Sequence, residues 1–280
     1  MNKFKAFNLN FKNKLHPHMH HLLINSSFTD YSEERKFPNL KNLFLFIKGA
    51  LISKFLYTFS EKKIRKILPS IAKSQDLARR DGGLIGTYQW VRLNEIRYLL
   101  KNFKVNSVCE FGSGGSTAIW NELIKGKVFS IEESEYWIKR TREILPKDSK
   151  VDLIFAERIV VEHDSEPATR YKLDDDFYKQ NFDLIYIDGP TSKPINNQEE
   201  KLKIVDSLRK KKKMPNIDIE LFIKNGNPPK YILIDGRRST VRRLCKYYSD
   251  IYDIYLRYFY QHKWDRSGTF LYHTLLIRRS

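Results

Sequence analysis

From about residue 105 onward, short apolar runs alternate with stretches of helical periodicity, and this alternation predicts an α/β chain. Residues 106–111 read as a strand, 116–124 as a helix stopped by Gly126, and 128–131 as a second strand. Ser134 is placed to cap a helix that runs to Leu145 and is ended by Pro146. Residues 151–156, 182–187 and 231–234 supply three further strands, the last followed by a helix from about 240 to 248. Runs that are apolar at both parities need cover on both faces, which implies a mostly parallel, doubly wound sheet. The last two runs, 251–258 and 269–277, leave no room for a helix between them and are expected to pair as an antiparallel hairpin. The count comes to seven strands.

The chain before residue 90 has a different character. Residues 1–36 read as a polar, basic and poorly ordered lead-in, and 37–89 as a helical extension with helical patterning at 43–59 and 64–78. After a break at Asp81, Gly82 and Gly83, a helix over about 91–103 leads into the main domain, residues 90–280. Within that domain, 191–229 is long for a connection between strands and reads as an insertion. It carries the basic run Arg209, Lys210, Lys211, Lys212 and Lys213, a solvated face on composition alone and a substrate-contacting loop by its place at the sheet edge. His16, His18, His20 and His21 cluster in the lead-in, but no second ligand set accompanies them, so a solvated tail is expected rather than a metal site.

Charge and cysteine usage narrow the setting without choosing a partner. The formal net charge is +18, from 51 Lys plus Arg against 33 Asp plus Glu, which favours nucleic acid, anionic glycans or an acidic membrane surface. Cys109 and Cys245 stand too far apart to suggest a disulfide framework or a zinc site, which fits a reducing, cytoplasmic compartment. The first residues lack the apolar run of a secretion signal. Residues 43–59 are the most apolar stretch, yet Lys48 and Lys54 interrupt it, so a membrane span is not expected; a helix packed on the core or on a partner is favoured over peripheral membrane contact.

The candidate chemistry lies in Val108-Cys109-Glu110-Phe111-Gly112-Ser113-Gly114-Gly115-Ser116-Thr117. A strand ending in an acid passes through a glycine-rich turn straight into a helix. Glycines let the backbone take otherwise costly angles and let a ligand approach closely, while the helix start presents amides to an electron-rich group. Glu132, 20 residues after Gly112, closes the second strand where an acid can accept both ribose hydroxyls of an adenosine moiety. The dinucleotide fingerprint needs a third glycine where Thr117 stands, and Glu110 would set a like charge against a pyrophosphate. A carboxylate there suits a cationic ligand such as a methionyl amino group.

The run Glu110 to Thr117 resembles the first motif of class I S-adenosylmethionine-dependent methyltransferases, in particular bacterial members with a Glu-Phe-Gly-Ser-Gly pattern. Ser130-Ile131-Glu132 is similar to that family's second motif, and Phe182-Asp183-Leu184-Ile185-Tyr186-Ile187-Asp188-Gly189-Pro190 to its fourth. The commonest pattern has glycine where Ser116 stands. The resemblance covers about residues 90–280 and implies a Rossmann-like fold of seven strands closed by an antiparallel hairpin, with S-adenosylmethionine as cofactor. It also implies that Glu110, Phe111 and the turn Gly112, Ser113, Gly114 and Gly115, leading into Ser116 and Thr117, hold the methionine portion. Glu132 would grip the ribose, Ile131 and Glu133 would flank the adenine, and Asp188 would face the substrate or a divalent metal.

Transfer from a sulfonium needs alignment of the attacking lone pair and, for a hydroxyl acceptor, a base. Asp188 is the first candidate for that base, or for a ligand of a metal ion that acidifies the hydroxyl. Asp235 ends the fifth strand at the same edge, with Arg237 and Arg238 beside it as a clamp for an acidic acceptor. His163 is a further base, read as incidental. Asn227-Pro228-Pro229 lacks the following aromatic residue and the place after the fourth strand that base-flipping amino-methylating enzymes require. The expectation is O-methylation of a small molecule or glycan. RNA or DNA methylation rests on charge alone, a catalytically idle binding module on the same fold is the rival from another class, and polyamine synthesis is disfavoured by the basic charge.

Overall fold

The computed structural model describes residues 20–24, 65, 66, 68, 69, 72, 96, 97, 99–190, 214–261 and 269–279. Five strands run parallel at its centre. β2 (Val108–Phe111) leads into α1 (Gly115–Leu123), β3 (Val128–Glu132) into α2 (Glu135–Ile144), and β4 (Val151–Phe155) forms one edge. β7 (Leu184–Ile187) and β8 (Tyr231–Asp235) lie on the other side of β2, and α4 (Arg238–Tyr248) follows β8. The expected terminal hairpin is present as β9 (Tyr252–Gln261) and β10 (Thr269–Arg278), with β10 antiparallel to both β8 and β9. The core order is therefore β9-β10-β8-β7-β2-β3-β4, the Rossmann-like arrangement that the resemblance implies.

Alternation along the strands divides the core into two layers. Cys109 and Phe111 of β2 face a layer with Ile131, Ile185, Ile187, Ile232, Ile234, Phe222 and Leu244. Val108 faces the opposite layer, with Val128, Tyr186, Leu233, Ile119, Trp120, Ile96 and Phe103. Both faces of each central strand are thus covered, which is why these strands read as continuous apolar runs. Ser134 caps α2 by accepting from the Trp137 amide at 3.4 Å, and both cysteines are buried thiols. No helix among the described residues is long and apolar enough to cross a membrane.

Three features differ from the sequence expectation. Residues His20–Ile24, inside the expected lead-in, form β1, an eighth strand antiparallel to β9. The connection from β4 to β7, left unassigned by periodicity, is a second small sheet of β5 (Arg158–His163) and β6 (Glu166–Tyr171). Asp164 and Ser165, at φ 51° and 60°, make the two-residue turn between them, the positive-φ pair that a tight hairpin demands. Within the expected insertion, α3 (Asp218–Lys224) is a packed element whose Ile219 and Phe222 are fully buried. The patterning at 43–59, most of that at 64–78, His16, His18 and the basic run Arg209 to Lys213 lie outside the described residues.

Candidate functional site

The glycine turn after β2 is fixed by its neighbour across the sheet. Gly112 takes φ +97°, and a methyl group built on it would stand 2.5 Å from the Gly189 nitrogen and 2.8 Å from the Asp188 carbonyl carbon. Only glycine suits that combination of backbone angle and crowding. The amides of Asp188 and Gly189 both donate to the Phe111 carbonyl, at 2.8 and 2.6 Å, so the chain leaving β7 is tied to the chain leaving β2. Gly114 differs, since a methyl there would meet nothing within 4 Å. Above Gly114 the turn is open, and α1 starts directly behind it with Gly115 and Ser116.

Two carboxylates sit below and beside this turn, and they do different things. Glu110 shares a strand face with Val108 and is fully buried. Its oxygens accept from Thr117 Oγ1 at 2.5 Å, Ser130 Oγ at 2.6 Å and Trp120 Nε1 at 3.1 Å. Thr117 Oγ1 in turn accepts from the Gly114 amide at 2.9 Å. Burial pushes the Glu110 carboxyl above its ordinary range, while the hydroxyl and indole donors pull the other way. The structure places Glu110 beneath the turn, where these bonds brace α1 and the glycine loop on β2 and β3. Phe111 and Ile131 are likewise core residues with no exposed surface, and Ser116 and Thr117 are buried in the first turn of α1.

Glu132 lies at the edge of the sheet. One oxygen accepts from the Ser113 amide at 2.9 Å, and the other from the amides of Glu133 and Ser134 at 3.0 and 2.9 Å. It thereby joins the glycine turn to the start of α2. Burial raises its pKa to about 7 against the pull of these amides, and the neighbouring Glu133 charge adds to the rise. Glu133 itself forms an ion pair at 3.3 Å with Arg158, whose side chain is fully buried at the base of β5.

Asp188 and Asp235 leave adjacent parallel strands at the same level, since Ile187 pairs with Ile234. The Asp188 side chain is 40% exposed and stands 3.8 Å from Arg237 Nη2, while Arg237 Nη1 donates to the Pro190 carbonyl at 2.6 Å. Arg237 therefore ties the end of β8 to the chain after β7. Gly112, Ser113, Glu132, Glu133, Asp188 and Arg237 are brought to one edge, where the ends of β2, β3, β7 and β8 converge.

Sequence reasoning missed Arg158 and Tyr171. They are opposite partners at the base of the β5–β6 hairpin, and both are buried. The available signal was a pair of large polar side chains bounding a segment with a tight-turn sequence at its middle. His163 is at the other end of this hairpin, away from that edge. There His163, Asp164 and Glu220 bring their ligand atoms within 4.8 Å of one another, a spacing that could hold a metal ion. Cations already occupy the cluster. Arg243 donates to Glu220 and Asp164, and Lys224 Nζ lies 3.0 Å from His163 Nε2. Tyr248 adds a hydroxyl donor to Glu220 at 3.2 Å. The cluster is an ion network that pins the hairpin tip to α3 and α4.

No protein-family model matches the chain, and no curated protein matches it. Among solved structures, a Thermoplasma acidophilum protein numbered 1320 aligns over 80% of this chain and 98% of its own, at 12% identity and a TM-score of 0.41. The O-methyltransferase TomG of Streptomyces achromogenes, involved in tomaymycin synthesis and solved with S-adenosylmethionine, aligns over 79% and 96%, at 12% identity and a TM-score of 0.43. The N-methyltransferase NodS of Bradyrhizobium japonicum aligns over 69% and 97%, at 12% identity and a TM-score of 0.38.

Proposed function

We propose that this chain is an S-adenosylmethionine-dependent methyltransferase acting on a hydroxyl of a small molecule or glycan. The observation that carries the reading is the pairing of an open glycine turn at Gly114 with the edge carboxylate of Glu132, one strand away and bonded to that turn through Ser113. The donor set fits the cofactor. Glu132 offers carboxylate oxygens for vicinal ribose hydroxyls, Glu133 flanks the base, and the Gly112 to Gly115 backbone lets an aliphatic chain approach without side-chain obstruction. When bound, S-adenosylmethionine supplies a methyl group already activated on a sulfonium.

What remains for the protein is to orient the acceptor and take its proton. Asp188 is suited to this, at the end of β7, partly exposed and held by Arg237. Asp188 takes the proton directly, or holds a divalent ion that acidifies the hydroxyl. Asp235, one strand further, lines the acceptor side. Calorimetric titration with S-adenosylmethionine tests the reading. Wild type should bind, Glu132→Ala should bind on the order of 100-fold more weakly because it loses charge-assisted hydrogen bonds, and Asp188→Asn should bind normally but transfer no methyl. Absence of binding by the wild type would refute it. Transfer of labelled methyl to nucleic acid rather than to metabolites or glycans would move the acceptor class to RNA or DNA.

A further inference from the structure

Tyr171, the last residue of β6, comes up between the chains that leave β2 and β7. Its ring stacks on Phe111, with centroids 5.5 Å apart and planes 20° off parallel. A methyl built on Gly189 would lie 2.5 Å from the Tyr171 hydroxyl and 2.7 Å from the Gly112 Cα. The phenol oxygen is therefore placed where the two glycine backbones meet, directly under the turn. The residue is fully buried, and its hydroxyl has no hydrogen-bond partner among the described residues. Buried polar atoms are nearly always satisfied; Arg243 Nη1 and Thr274 Oγ1 are further exceptions among the described residues, but the Tyr171 hydroxyl is the one set against both Gly112 and Gly189, where a partner can arrive with a ligand. Burial, reinforced by the charges of Glu132 and Glu133, drives the phenol pKa well up. Tyr171 is thus a neutral donor and not a base.

The position of the hydroxyl selects the part of the ligand it meets. With the ribose held by Glu132 at the end of β3, the end of β7 lies two strand spacings away, roughly 10 Å. That is the span of an extended methionyl chain crossing the Gly112 turn. We propose that Tyr171 is a positioning residue whose hydroxyl donates a hydrogen bond to the methionyl carboxylate of S-adenosylmethionine. The inference rests on the cofactor reading above and adds a residue of the β5–β6 hairpin to the site.

The test compares two thioether nucleosides, S-adenosylhomocysteine and 5′-methylthioadenosine, which share the nucleoside and differ in the amino-acid chain. Tyr171→Phe should weaken S-adenosylhomocysteine about tenfold, leave 5′-methylthioadenosine unchanged, and leave the Tm of the free protein unlowered, because no internal hydrogen bond is lost. Glu132→Ala should weaken both nucleosides. Equal losses for both with Tyr171→Phe, no loss for either, or a variant that fails to fold would each overturn the proposal, the last by showing that the hydroxyl is structural. If the wild type binds neither nucleoside, the cofactor reading itself falls, and that outcome is distinct from all of these.

Discussion

The two ends of the β5–β6 hairpin both gather ionisable side chains, and they handle them in opposite ways. At the tip, Glu220 is almost fully buried and is met by Arg243, Tyr248 and His163, with Lys224 on the far side of the imidazole. The buried Arg243 guanidinium there meets three carboxylates, those of Glu220, Asp164 and Glu166. At the base, Glu132 is held only by backbone amides with a pKa of about 7, and the Tyr171 hydroxyl is unbonded among the described residues. A cluster of titratable groups is therefore not in itself a mark of a binding site. At the tip the carboxylates answer a buried guanidinium, and at the base Glu132 answers the amides of the glycine turn and of the start of α2.

The largest effect should come from breaking the brace. Glu220→Ala would leave the buried guanidinium of Arg243, only 4% exposed, without its main carboxylate. It should cost about 3–5 kcal/mol in urea denaturation while leaving cofactor affinity within about twofold for the protein that remains folded. A comparable loss of affinity would mean that the two ends are not separate. Gly112→Ala comes next. A side chain there takes both the φ penalty and the collision with Gly189, so stability should fall on the order of 3 kcal/mol, by the same assay. Here cofactor binding should fall as well, because the strained position belongs to the turn.

The smallest effect is on pH. The Glu132 carboxyl holds its proton up to about pH 7 in the folded protein, against an ordinary value of 4.5. Between these values the folded state binds more protons than the unfolded state, so this residue's contribution to stability falls as pH rises through that window. Ligand binding runs the other way, since ribose hydroxyls are better accepted by the ionised form. Cofactor affinity should drop about tenfold from pH 8 to pH 6, and Glu132→Gln should flatten the profile. A profile unchanged by that substitution would place the titrating group elsewhere.

How much of this was legible beforehand depended on burial pattern. β2, β3, β7 and β8 are covered on both faces, so their sequences are unbroken apolar runs, and the glycine turn with its edge carboxylate was visible as a motif. The β5–β6 hairpin was not, because Arg158-Ile159-Val160-Val161-Glu162-His163 mixes charges with β-branched residues and lacks a clean period of two. α3 was hidden by its own polar residues. Asp218 and Glu220 look like solvent-facing positions, yet both are buried, Asp218 by accepting from Tyr178, Asn216 and the Tyr171 amide. Glu110 was placed correctly on its strand, but its bonds to Ser130 and Trp120 join elements that local spacing cannot bring together. Tyr171 reaches the site only because the hairpin folds back under the turn.

The account is tested most directly by amide hydrogen exchange with and without S-adenosylhomocysteine. It predicts slowed exchange at residues 112–117 and 132–134 on adding the nucleoside, with residues 163–166 at the hairpin tip unchanged. No change at the turn, or protection confined to the hairpin tip, would contradict it.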